Sequence, residues 1–470
     1  MKPISHSLRS VLMVHGLLLG AALYAQCPTA NVLITSQTDA DNYAANFPNC
    51  DTLPGDLVFS GTNIDDLSGF ANVEVILGDL RYFGTFPGPY DFTGFQSLTQ
   101  IGGDLEVSSC QRWRSFAGLD NLQRVEGSVV AQYVDSIEGV GGLFNLDHVG
   151  GNLLIWGGPL MFGLAGLNDL DTVMGQLQLL MGDASGALPD QLEYVGGDFR
   201  VTCGTNQLTG AAQLTRIDGH LLLGSPNLPA PNAFPVLGVV SDLVIGLDNV
   251  STINLNILPA LDTVVNNLEV GANSTLTSFA GLNAIDYIGG WLLFDDCDDL
   301  VAITNAFQSV DTCGKLWFDN NDVLTDISAF DQAMGIGSLQ VTNNPLLSYC
   351  HVQAICERVV PPILPNPAFY GNATGCDAEL EVYNLCILSN AVPDAARTPI
   401  TVFPNPAQDH LRIAGLRGTH TALLHTTDAR LVSRTRIDDG VLDISRLPAG
   451  MYALRLEGEP AYAPTIFVKL

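Results

Sequence analysis

Basic side chains are scarce in this sequence. Its 470 residues include 19 Lys or Arg against 49 Asp or Glu, which gives a formal net charge of −30. Residues 26–398 carry the imbalance, with 9 basic and 42 acidic side chains, whereas residues 399–470 carry 8 and 7. A surface this negative repels phosphate groups, which argues against nucleic acids and anionic membranes as partners.

Long apolar runs are also missing, because none approaches the roughly 20 residues that a transmembrane helix needs. A shorter run, Val11 to Leu23, follows Lys2 and Arg9 and ends in small residues around Ala25. A charged start, an apolar middle and a small-residue exit are typical of a secretory signal peptide. The sequence therefore predicts a signal peptide over residues 1–25. All ten cysteines follow it, so they mature in an oxidising compartment.

The common catalytic signatures are absent as well. The sequence contains no His-Glu-x-x-His, Gly-x-Ser-x-Gly or Cys-x-x-Cys motif. Residues 26–398 hold only His148, His220 and His351, each in a different part of the chain. We therefore expect a protein that is not an enzyme and needs no cofactor. The alternative is a polysaccharide-active enzyme on a β-helix, because the many aspartates offer paired acids for hydrolysis.

The sequence does contain a repeat. Units that open with Gly-Asp-Leu, or a variant of it, recur at intervals of 22 to 25 residues. The opening residues are Gly55, Gly78, Gly103, Gly127, Gly151, Gly175, Gly197, Gly219, Ser241, Asn266, Gly290, Gly314 and Gly337. A fixed period of this length indicates a solenoid, because one unit cannot bury its apolar face alone. Leu-x-Val after the opening residue predicts a short strand. The expected fold class is mainly β, a right-handed parallel β-solenoid of about 13 rungs over residues 55–349.

Each strand also presents side chains to the outside of the solenoid. The third residue after each opening residue faces outward. These residues are Val58, Arg81, Glu106, Val130, Leu154, Gln178, Arg200, Leu222, Val244, Glu269, Leu293, Trp317 and Gln340. The row is unusually apolar for a solvated face, and apolar patches of this kind are typical of ligand-binding surfaces. We name Trp291, Leu293, Trp317 and Leu154 as candidate ligand-binding residues. A covering loop or a dimer contact is the alternative.

The ends of a solenoid must be closed, since an open terminal rung exposes a sheet edge and a core. Cys27 and Cys50 suggest an N-terminal cap over residues 26–54, closed by one disulfide. A Cys-rich C-terminal cap is expected over residues 350–386, with Cys350, Cys356, Cys376 and Cys386. Four cysteines allow three pairings. We favour Cys350 with Cys376 and Cys356 with Cys386. The remaining cysteines, expected to be buried free thiols, are Cys110, Cys203, Cys297 and Cys313.

Two acidic segments occupy the same turn in consecutive units. They are Asp295-Asp296-Cys297-Asp298-Asp299 and Asp319-Asn320-Asn321-Asp322. Stacked carboxylates repel one another, and calcium would relieve that repulsion with oxygen ligands. Neither segment has the loop pattern of a recognisable calcium site. We therefore favour solvated turns and keep a calcium site at Asp295, Asp296, Asp319 and Asp322 as the alternative.

The repeat resembles the receptor L-domain type of leucine-rich solenoid over about residues 27–386. The resemblance depends on the Gly-Asp-Leu openings, the Cys-rich ends and Gly-Leu-x-x-Leu segments such as Gly118 to Leu122 and Gly166 to Leu170. Ordinary leucine-rich repeats and parallel β-helices share much of this pattern. The consensus Asn of ordinary leucine-rich repeats is not regular here, which favours the L-domain type. The resemblance implies a ligand-binding lobe.

The last part of the chain carries different motifs. Val402-Phe403-Pro404-Asn405-Pro406-Ala407 comes first, then Leu447-Pro448-Ala449-Gly450-Met451-Tyr452, and Lys469 lies near the end. Residues 400–470 thereby resemble the C-terminal sorting domain of the type IX secretion system of Bacteroidota. The resemblance implies a small β-sandwich whose sorting motif is Pro404, Asn405, Pro406, Gly450, Tyr452 and Lys469. A carbohydrate-binding β-sandwich is the alternative.

Together these features predict an exported repeat protein with a recognition or adhesion role, joined by a linker over residues 387–399 to a sorting domain. The resemblance implies that type IX machinery carries the chain across the outer membrane. It also implies that a sortase-like peptidase removes the domain, leaving the protein secreted or on the cell surface. The expected ligand is an extracellular protein or glycan. A purely structural surface protein is a further alternative.

Overall fold

A computed structural model of the chain describes residues 27–84, 88–158, 160–161, 163–180, 187–202, 209–223, 233–246, 255–271, 276, 278–359, 367–388, 398–426, 431–457, 462–463 and 465–470. The expected signal peptide, Cys203 and residues 389–397 of the expected linker lie outside these residues. The fold is mainly β, with a parallel β-solenoid of about 12 turns and a separate antiparallel sheet near the C-terminus. The expected fold class is confirmed. The chain divides into two compact units, the first ending at Met161 apart from Ala165–Leu167, and the second reaching Leu470.

The first unit contains one helix, which follows the first strand, and continues as solenoid turns. Its helix is α1, Gln37–Asn46, and a 3₁₀ turn covers Ser68–Phe70. Its strands are β1 Val32–Ile34, β2 Thr52–Leu53, β3 Leu57–Phe59, β4 Val75–Ile76, β5 Leu80–Phe83, β6 Gln100–Ile101, β7 Leu105–Ser108, β8 Arg124–Val125, β9 Val129–Val134, β10 His148–Val149 and β11 Leu153–Gly157. Each turn therefore carries a two-residue strand, a short corner and a longer strand.

The longer strands of the first unit pair in parallel, one repeat apart. Leu57 is the Cα partner of Leu80, Leu80 of Leu105, and Leu105 of Val129. Strand β1 pairs with β3 in the same way, so the ladder starts before Gly55, within the region expected to be a cap. Because the strands stack in register, side chains at the same position of successive repeats form columns.

The repeat motif acts partly through its aspartate. Asp56 Oδ1 accepts the backbone N–H of Asp79 at 3.0 Å, and Asp79 Oδ1 accepts that of Asp104 at 2.7 Å. Asp104 Oδ1 accepts the N–H of Ser128 at 2.8 Å. Each carboxylate thus satisfies a backbone donor that leaves the strand ladder at the corner of the next turn. This structural role explains why Asp follows Gly in the opening motif.

Glycine is needed where the turns approach one another closely. Gly118, which opens a Gly-Leu-x-x-Leu segment, has a φ of +97°. A Cβ at this position would overlap the carbonyl of Phe92 on the preceding turn. Both constraints exclude larger residues without strain. The leucines that follow, Leu119 and Leu122, are fully buried, as the repeat pattern predicts.

The second unit continues the same solenoid pattern. Its strands are β12 Thr172–Val173, β13 Leu177–Leu180, β14 Ala187–Leu188, β15 Tyr194–Val195, β16 Phe199–Thr202, β17 Thr209–Gly210, β18 Arg216–Leu223, β19 Val239–Ile245, β20 Thr263–Val264, β21 Leu268–Gly271, β22 Tyr287–Ile288, β23 Trp291–Asp295, β24 Thr312–Asp319, β25 Gly335–Thr342 and β26 Ala368–Tyr370. Two 3₁₀ turns cover Leu255–Ile257 and Ser328–Phe330. Strand β26 pairs with β25, so the ladder also extends beyond residue 349.

The inner face of the second unit is packed with stacked aromatic rings. Phe294 lies over Phe318 with ring centroids 5.1 Å apart and nearly parallel planes. Phe307 and Phe330 form a second parallel pair at 6.0 Å. All four rings are fully buried. Their one-turn spacing shows how the repeat converts sequence periodicity into a continuous core.

Three disulfides tie down the ends of the solenoid. Cys27 is bonded to Cys50, Cys350 to Cys376, and Cys356 to Cys386. All three expected pairings are confirmed. The bond Cys350–Cys376 joins the segments that precede the C-terminal helices α2, Gln353–Val359, and α3, Glu379–Leu388, and the bond Cys356–Cys386 joins α2 to α3.

Asparagine and cysteine occupy one buried corner of the turns. Cys110, Cys297 and Cys313 are free and buried, as expected. Cys110 and Cys297 come three residues after the Val or Phe of the strand motif, as do Asn321 and Asn344. The backbone N–H of Cys297 donates to Asn321 Oδ1 at 3.1 Å, and that of Asn321 donates to Asn344 Oδ1 at 3.2 Å. This corner is therefore a hydrogen-bonded ladder in the last turns of the solenoid.

The C-terminal part is an antiparallel sheet with its own core. Its strands are β27 Thr398–Pro399, β28 Val402–Phe403, β29 His410–Ile413, β30 Thr419–Thr426, β31 Leu431–Asp438, β32 Val441–Asp443, β33 Gly450–Leu456, β34 Tyr462–Ala463 and β35 Thr465–Lys469. Seven of them form one sheet in the order β28-β29-β32-β31-β30-β33-β35, and β27 pairs with β34. The core includes Leu424, Leu442, Leu454 and Phe467.

Candidate functional site

In the second unit, the outward-facing third residues of successive strands form a continuous row, as the repeat spacing predicts. Glu269 is the Cα partner of Leu293, Leu293 of Trp317, and Trp317 of Gln340. In the first unit the equivalent partners are Arg81 with Glu106 and Val130 with Leu154. The structure therefore brings Trp291, Leu293 and Trp317 together on β23 and β24, whereas Leu154 lies on β11 of the other unit.

Trp291 is the most exposed of the candidate residues. Its relative exposure is 46%, whereas Leu293, Trp317 and Leu154 are half-buried. The backbone N–H of Trp291 donates to Asn267 Oδ1 at 2.9 Å, which fixes the start of the strand. An indole that is exposed on a fixed backbone offers a large apolar surface at a low entropic cost.

Lys315 is a further residue of this site that the sequence reasoning missed. It is the Cα partner of Trp291, and its Nζ lies 3.3 Å from the ring centroid of Trp317. Nζ also donates to Gln340 Oε1 at 3.2 Å. Burial lowers the pKa of Lys315, and the negative charge of Asp319 partly opposes this. The ammonium is held over the indole as a cation–π pair. The signal was present, because Lys315 occupies the same first-position row as Trp291.

Trp317 carries an unused hydrogen-bond donor. Its Nε1 is buried and has no hydrogen-bond partner in the described part of the chain. The ring of Trp317 lies beneath the ammonium of Lys315, and its Cα partner on the adjacent strand β23 is Leu293. These three side chains and Trp291 form the aromatic patch.

The carboxylates of the acidic turns beside the aromatic patch accept hydrogen bonds from neighbouring side chains. Asp295 and Asp319 are Cα partners, as the repeat spacing predicts. Burial raises the pKa of Asp295, and Asp319 and Asp296 add to the effect. Asn320 donates to Asp296 Oδ1 at 2.8 Å, and Asp319 Oδ1 accepts from Thr342 and Asn343 at 2.7 and 3.0 Å. Amide and hydroxyl donors therefore relieve part of the repulsion that suggested calcium.

A metal site would need several ligands that converge. Among the described residues, no group of three or more His, Cys, Asp or Glu side chains is placed to hold a metal ion. Asp322, the fourth residue of the calcium alternative, is exposed.

Three further aspartates form a column at the start of successive turns, where the sequence analysis placed no site. Asp262, Asp286 and Asp311 precede β20, β22 and β24 on successive turns. The N–H of Asp286 donates to the carbonyl of Asp262 at 3.0 Å, and that of Asp311 donates to the carbonyl of Asp286 at 3.4 Å. We call these three residues the acidic column. Burial raises the pKa of Asp286, with Asp262 the next largest cause.

The acidic column borders a cleft of about 1310 Å³. Trp291 and Lys315 also line this cleft, which joins it to the aromatic patch. On its other side the cleft is lined by residues of the C-terminal sheet, namely Leu423, Arg434 and Glu457. The candidate site is therefore an aromatic patch at one margin of an acidic cleft.

The motif residues of the C-terminal sheet converge on its last strand. Asn405 Oδ1 accepts the N–H of Val468 at 2.9 Å, and Gly450 is the Cα partner of Lys469. The hydroxyl of Tyr452 donates to the carbonyl of Pro448 at 2.9 Å, and its ring stacks on Phe467. Pro404 and Pro406 flank Asn405. Residues that are far apart in sequence thus build one structure, which explains why the motifs occur together.

Residues 401–468 match the secretion system C-terminal sorting domain family. A sorting domain implies export by the type IX secretion system, handling by that machinery, and a cell-surface or extracellular location. The sequence-based assignment of this region is confirmed. A search of curated proteins found no match.

The described residues include no helix with the length and apolar character needed to cross a membrane. The described helices are α1, α2 and α3, each of which belongs to a cap region of the solenoid. The cap helices therefore serve the ends of the solenoid.

Proposed function

We propose that the protein is an exported recognition or adhesion protein whose solenoid binds an extracellular protein or glycan at the aromatic patch. The observation that carries this proposal is Trp291, which is 46% exposed on a rigid parallel sheet beside Trp317 and Lys315. Aromatic side chains that are held rigidly at the surface are typical binding hot spots. The sorting domain supports the extracellular location of the ligand.

We infer that export begins with the signal peptide over residues 1–25. A charged, apolar and small-residue sequence order supports this inference. The three disulfides agree with it, because disulfides persist in oxidising compartments. Type IX transport then follows from the sorting domain.

We also infer that the solenoid is leucine-rich and of the receptor L-domain type. Buried Leu-x-Val strands, tight Gly-Leu-x-x-Leu corners and disulfide-closed ends support this inference. Asn321 and Asn344 continue in a ladder to Asn372, whose Oδ1 accepts the N–H of Asn344 at 2.9 Å. In the described turns before these, Cys110 and Cys297 take the place of Asn, which fits the irregular consensus.

A polysaccharide-active enzyme is the second candidate, and one observation favours it. The raised pKa of Asp286 in a cleft with Asp262 and Asp311 is the kind of environment that creates a general acid. In that case Asp286→Asn would abolish release of reducing sugar from a bound glycan. A recognition protein would bind the glycan without releasing product.

Ligand binding can be tested with the chain after removal of its sorting domain, on a glycan array and on extracts of bacterial surfaces. We expect Trp291→Ala and Trp317→Ala to abolish retention. Tyr349→Ala is a matched control, since Tyr349 is an exposed aromatic residue outside the strands. Retention that survives both Trp substitutions, or no retention at all, would contradict the proposal.

A further inference from the structure

The sorting domain carries a row of three side chains on the face opposite its core. Leu423 on β30 is the Cα partner of Arg434 on β31 and of Arg455 on β33. The neighbours of Leu423 along the strand, Ala422 and Leu424, belong to the core of the domain. Successive side chains of a strand point to opposite faces, so Leu423, Arg434 and Arg455 point away from that core. We call them the outer row.

Leu423 is buried although it does not belong to the core of the sorting domain. Its exposure is only 5%. It lines the cleft together with Asp286, Tyr287 and Trp291 of the solenoid. The solenoid therefore covers Leu423, which lies outside the core cluster of the domain, whereas Arg434 at one end of the outer row stays 65% exposed.

Arg455 joins the outer row to the acidic column. One of its guanidinium nitrogens lies 2.5 Å from Asp311 Oδ1, and another donates to the backbone carbonyl of Asp311 at 2.5 Å. The side chain of Arg455 is 16% exposed and that of Asp311 is 40% exposed. Two donors of one guanidinium thus hold one residue of the solenoid, a geometry that fixes orientation as well as charge.

Arg434 places a second positive charge on the same side of the cleft. It forms an ion pair with Glu457 at 2.6 Å. Its charge lowers the pKa of Asp286, whereas burial, Asp262 and Glu457 of the domain itself raise that pKa and dominate. Arg434 therefore relieves only part of the repulsion among the carboxylates of the cleft. The charge distribution agrees, since residues 26–398 hold 42 acidic and 9 basic side chains while residues 399–470 hold 7 and 8.

We propose that the acidic column is the docking surface for the sorting domain of the same chain, and that the docked domain lies across the cleft from Trp291. The outer row is the matching surface on the domain. Ligand therefore has more room beside Trp291 once the domain has left. This consequence rests on the proposed function, whereas the docking itself does not.

Docking can be measured in the full chain without any ligand. Hydroxyl-radical labelling read by mass spectrometry reports the exposure of Leu423, and Leu424 in the core serves as the internal reference. We expect Arg455→Glu to raise the oxidation of Leu423 several-fold and to leave Leu424 protected. Raising the salt concentration to about 1 M, where the Debye length falls to about 3 Å, should act in the same direction.

A chain in which the two charges are exchanged distinguishes loss of docking from misfolding of the domain. Asp311→Lys combined with Arg455→Glu restores an ion pair and should return Leu423 to its original protection. Arg436→Glu is the matched control, because Arg436 lies on β31 as Arg434 does and is 73% exposed. It should leave Leu423 unchanged. Unchanged oxidation of Leu423 in Arg455→Glu, or failure of the swap to restore protection, would overturn the proposal.

The same samples distinguish this proposal from the proposed function. Protection of Leu423 that depends on Arg455 establishes docking even if no ligand binds to the aromatic patch. Conversely, a ligand that binds equally well before and after removal of the domain supports recognition and overturns the effect of the domain on ligand access.

Discussion

Asn344 accepts two hydrogen bonds from Asn321 through one side-chain oxygen. The backbone N–H of Asn321 lies 3.2 Å from Asn344 Oδ1, and its side-chain amide lies 2.9 Å away. Asn344 in turn donates to the carbonyls of Phe318 and Thr342 at 3.2 and 2.7 Å. Both asparagines are fully buried. One side chain thus satisfies backbone groups on two turns of the solenoid.

Replacing Asn344 should destabilise the solenoid strongly. Asn344→Ala leaves buried donors and acceptors without partners, which should lower the free energy of unfolding by about 3 kcal/mol. Asn121→Ala is the matched control, because the Asn121 side chain donates to the carbonyl of Gln96 at the exposed surface. It should cost about 0.5 kcal/mol or less. Urea unfolding of both variants checks this, and equal losses would contradict the ladder's role.

The stability of the C-terminal cap should depend on its disulfides. Cys356 and Cys386 are 30 residues apart in sequence, and removing the bond between them should cost about 3–4 kcal/mol through the entropy of the unfolded chain. The test compares urea midpoints of the wild-type chain and of the double variant Cys356→Ser and Cys386→Ser. Cys313→Ala, which removes a buried free thiol, should cost less. A larger loss for Cys313→Ala would refute this ranking.

The buried free thiols should resist alkylation. Burial raises the pKa of Cys110 to about 11 and that of Cys297 to about 12. Since the thiolate is the nucleophile, both cysteines should be inert to iodoacetamide near neutral pH until the chain unfolds. Peptide mapping after labelling in buffer and in urea measures this. Labelling of Cys297 in the native chain would show that the corner is open.

Ionisation of Asp295 should lower the free energy of unfolding as pH rises. Its pKa in the folded chain is raised, first by burial and then by Asp319 and Asp296, so the folded state holds the proton more tightly than the unfolded state. The stabilisation is complete below the ordinary pKa of Asp, near 3.8, and is lost as pH rises through the folded value.

Asp295→Asn should therefore raise the urea midpoint near pH 7 relative to the wild type and change it little near pH 3. Asp322→Asn is the control, because Asp322 is exposed. Should Asp295→Asn lower the midpoint near pH 7, a stabilising partner for the carboxylate, such as calcium, would have to be reconsidered. Adding a chelator to the wild type distinguishes that case.

Periodic features of the fold could be predicted from the sequence. Leu119 and Leu122 repeat at fixed offsets, so their burial followed from the need to stack units, and Leu293 and Trp317 were placed on adjacent strands by the same spacing. The positions of cysteines outside the repeat predicted the two cap regions and the Cys27–Cys50 bond, whereas three pairings were open for the four C-terminal cysteines. The repeat period therefore predicts the register of the parallel strands and the residues that form the core.

Other features depend on contacts that periodicity does not report. The position of Lys315 over Trp317 follows from the rotamers of two side chains that lie two residues apart on β24. The pairing of Arg455 with Asp311 joins residues 144 positions apart in sequence, on elements of different architecture. The acidic column was visible as an Asp three or four residues before the opening residue in three units, but its partner lies in the sorting domain and not in the repeat.

The most direct test of the recognition role is the affinity of the ligand for the chain after removal of the sorting domain. Loss of an aromatic hot spot costs about 2 kcal/mol or more, so Trp291→Ala and Trp317→Ala should each weaken binding by about 30-fold. Tyr349→Ala should bind like the wild type. Trp variants that keep full affinity would show that the aromatic patch is not where the protein recognises its ligand.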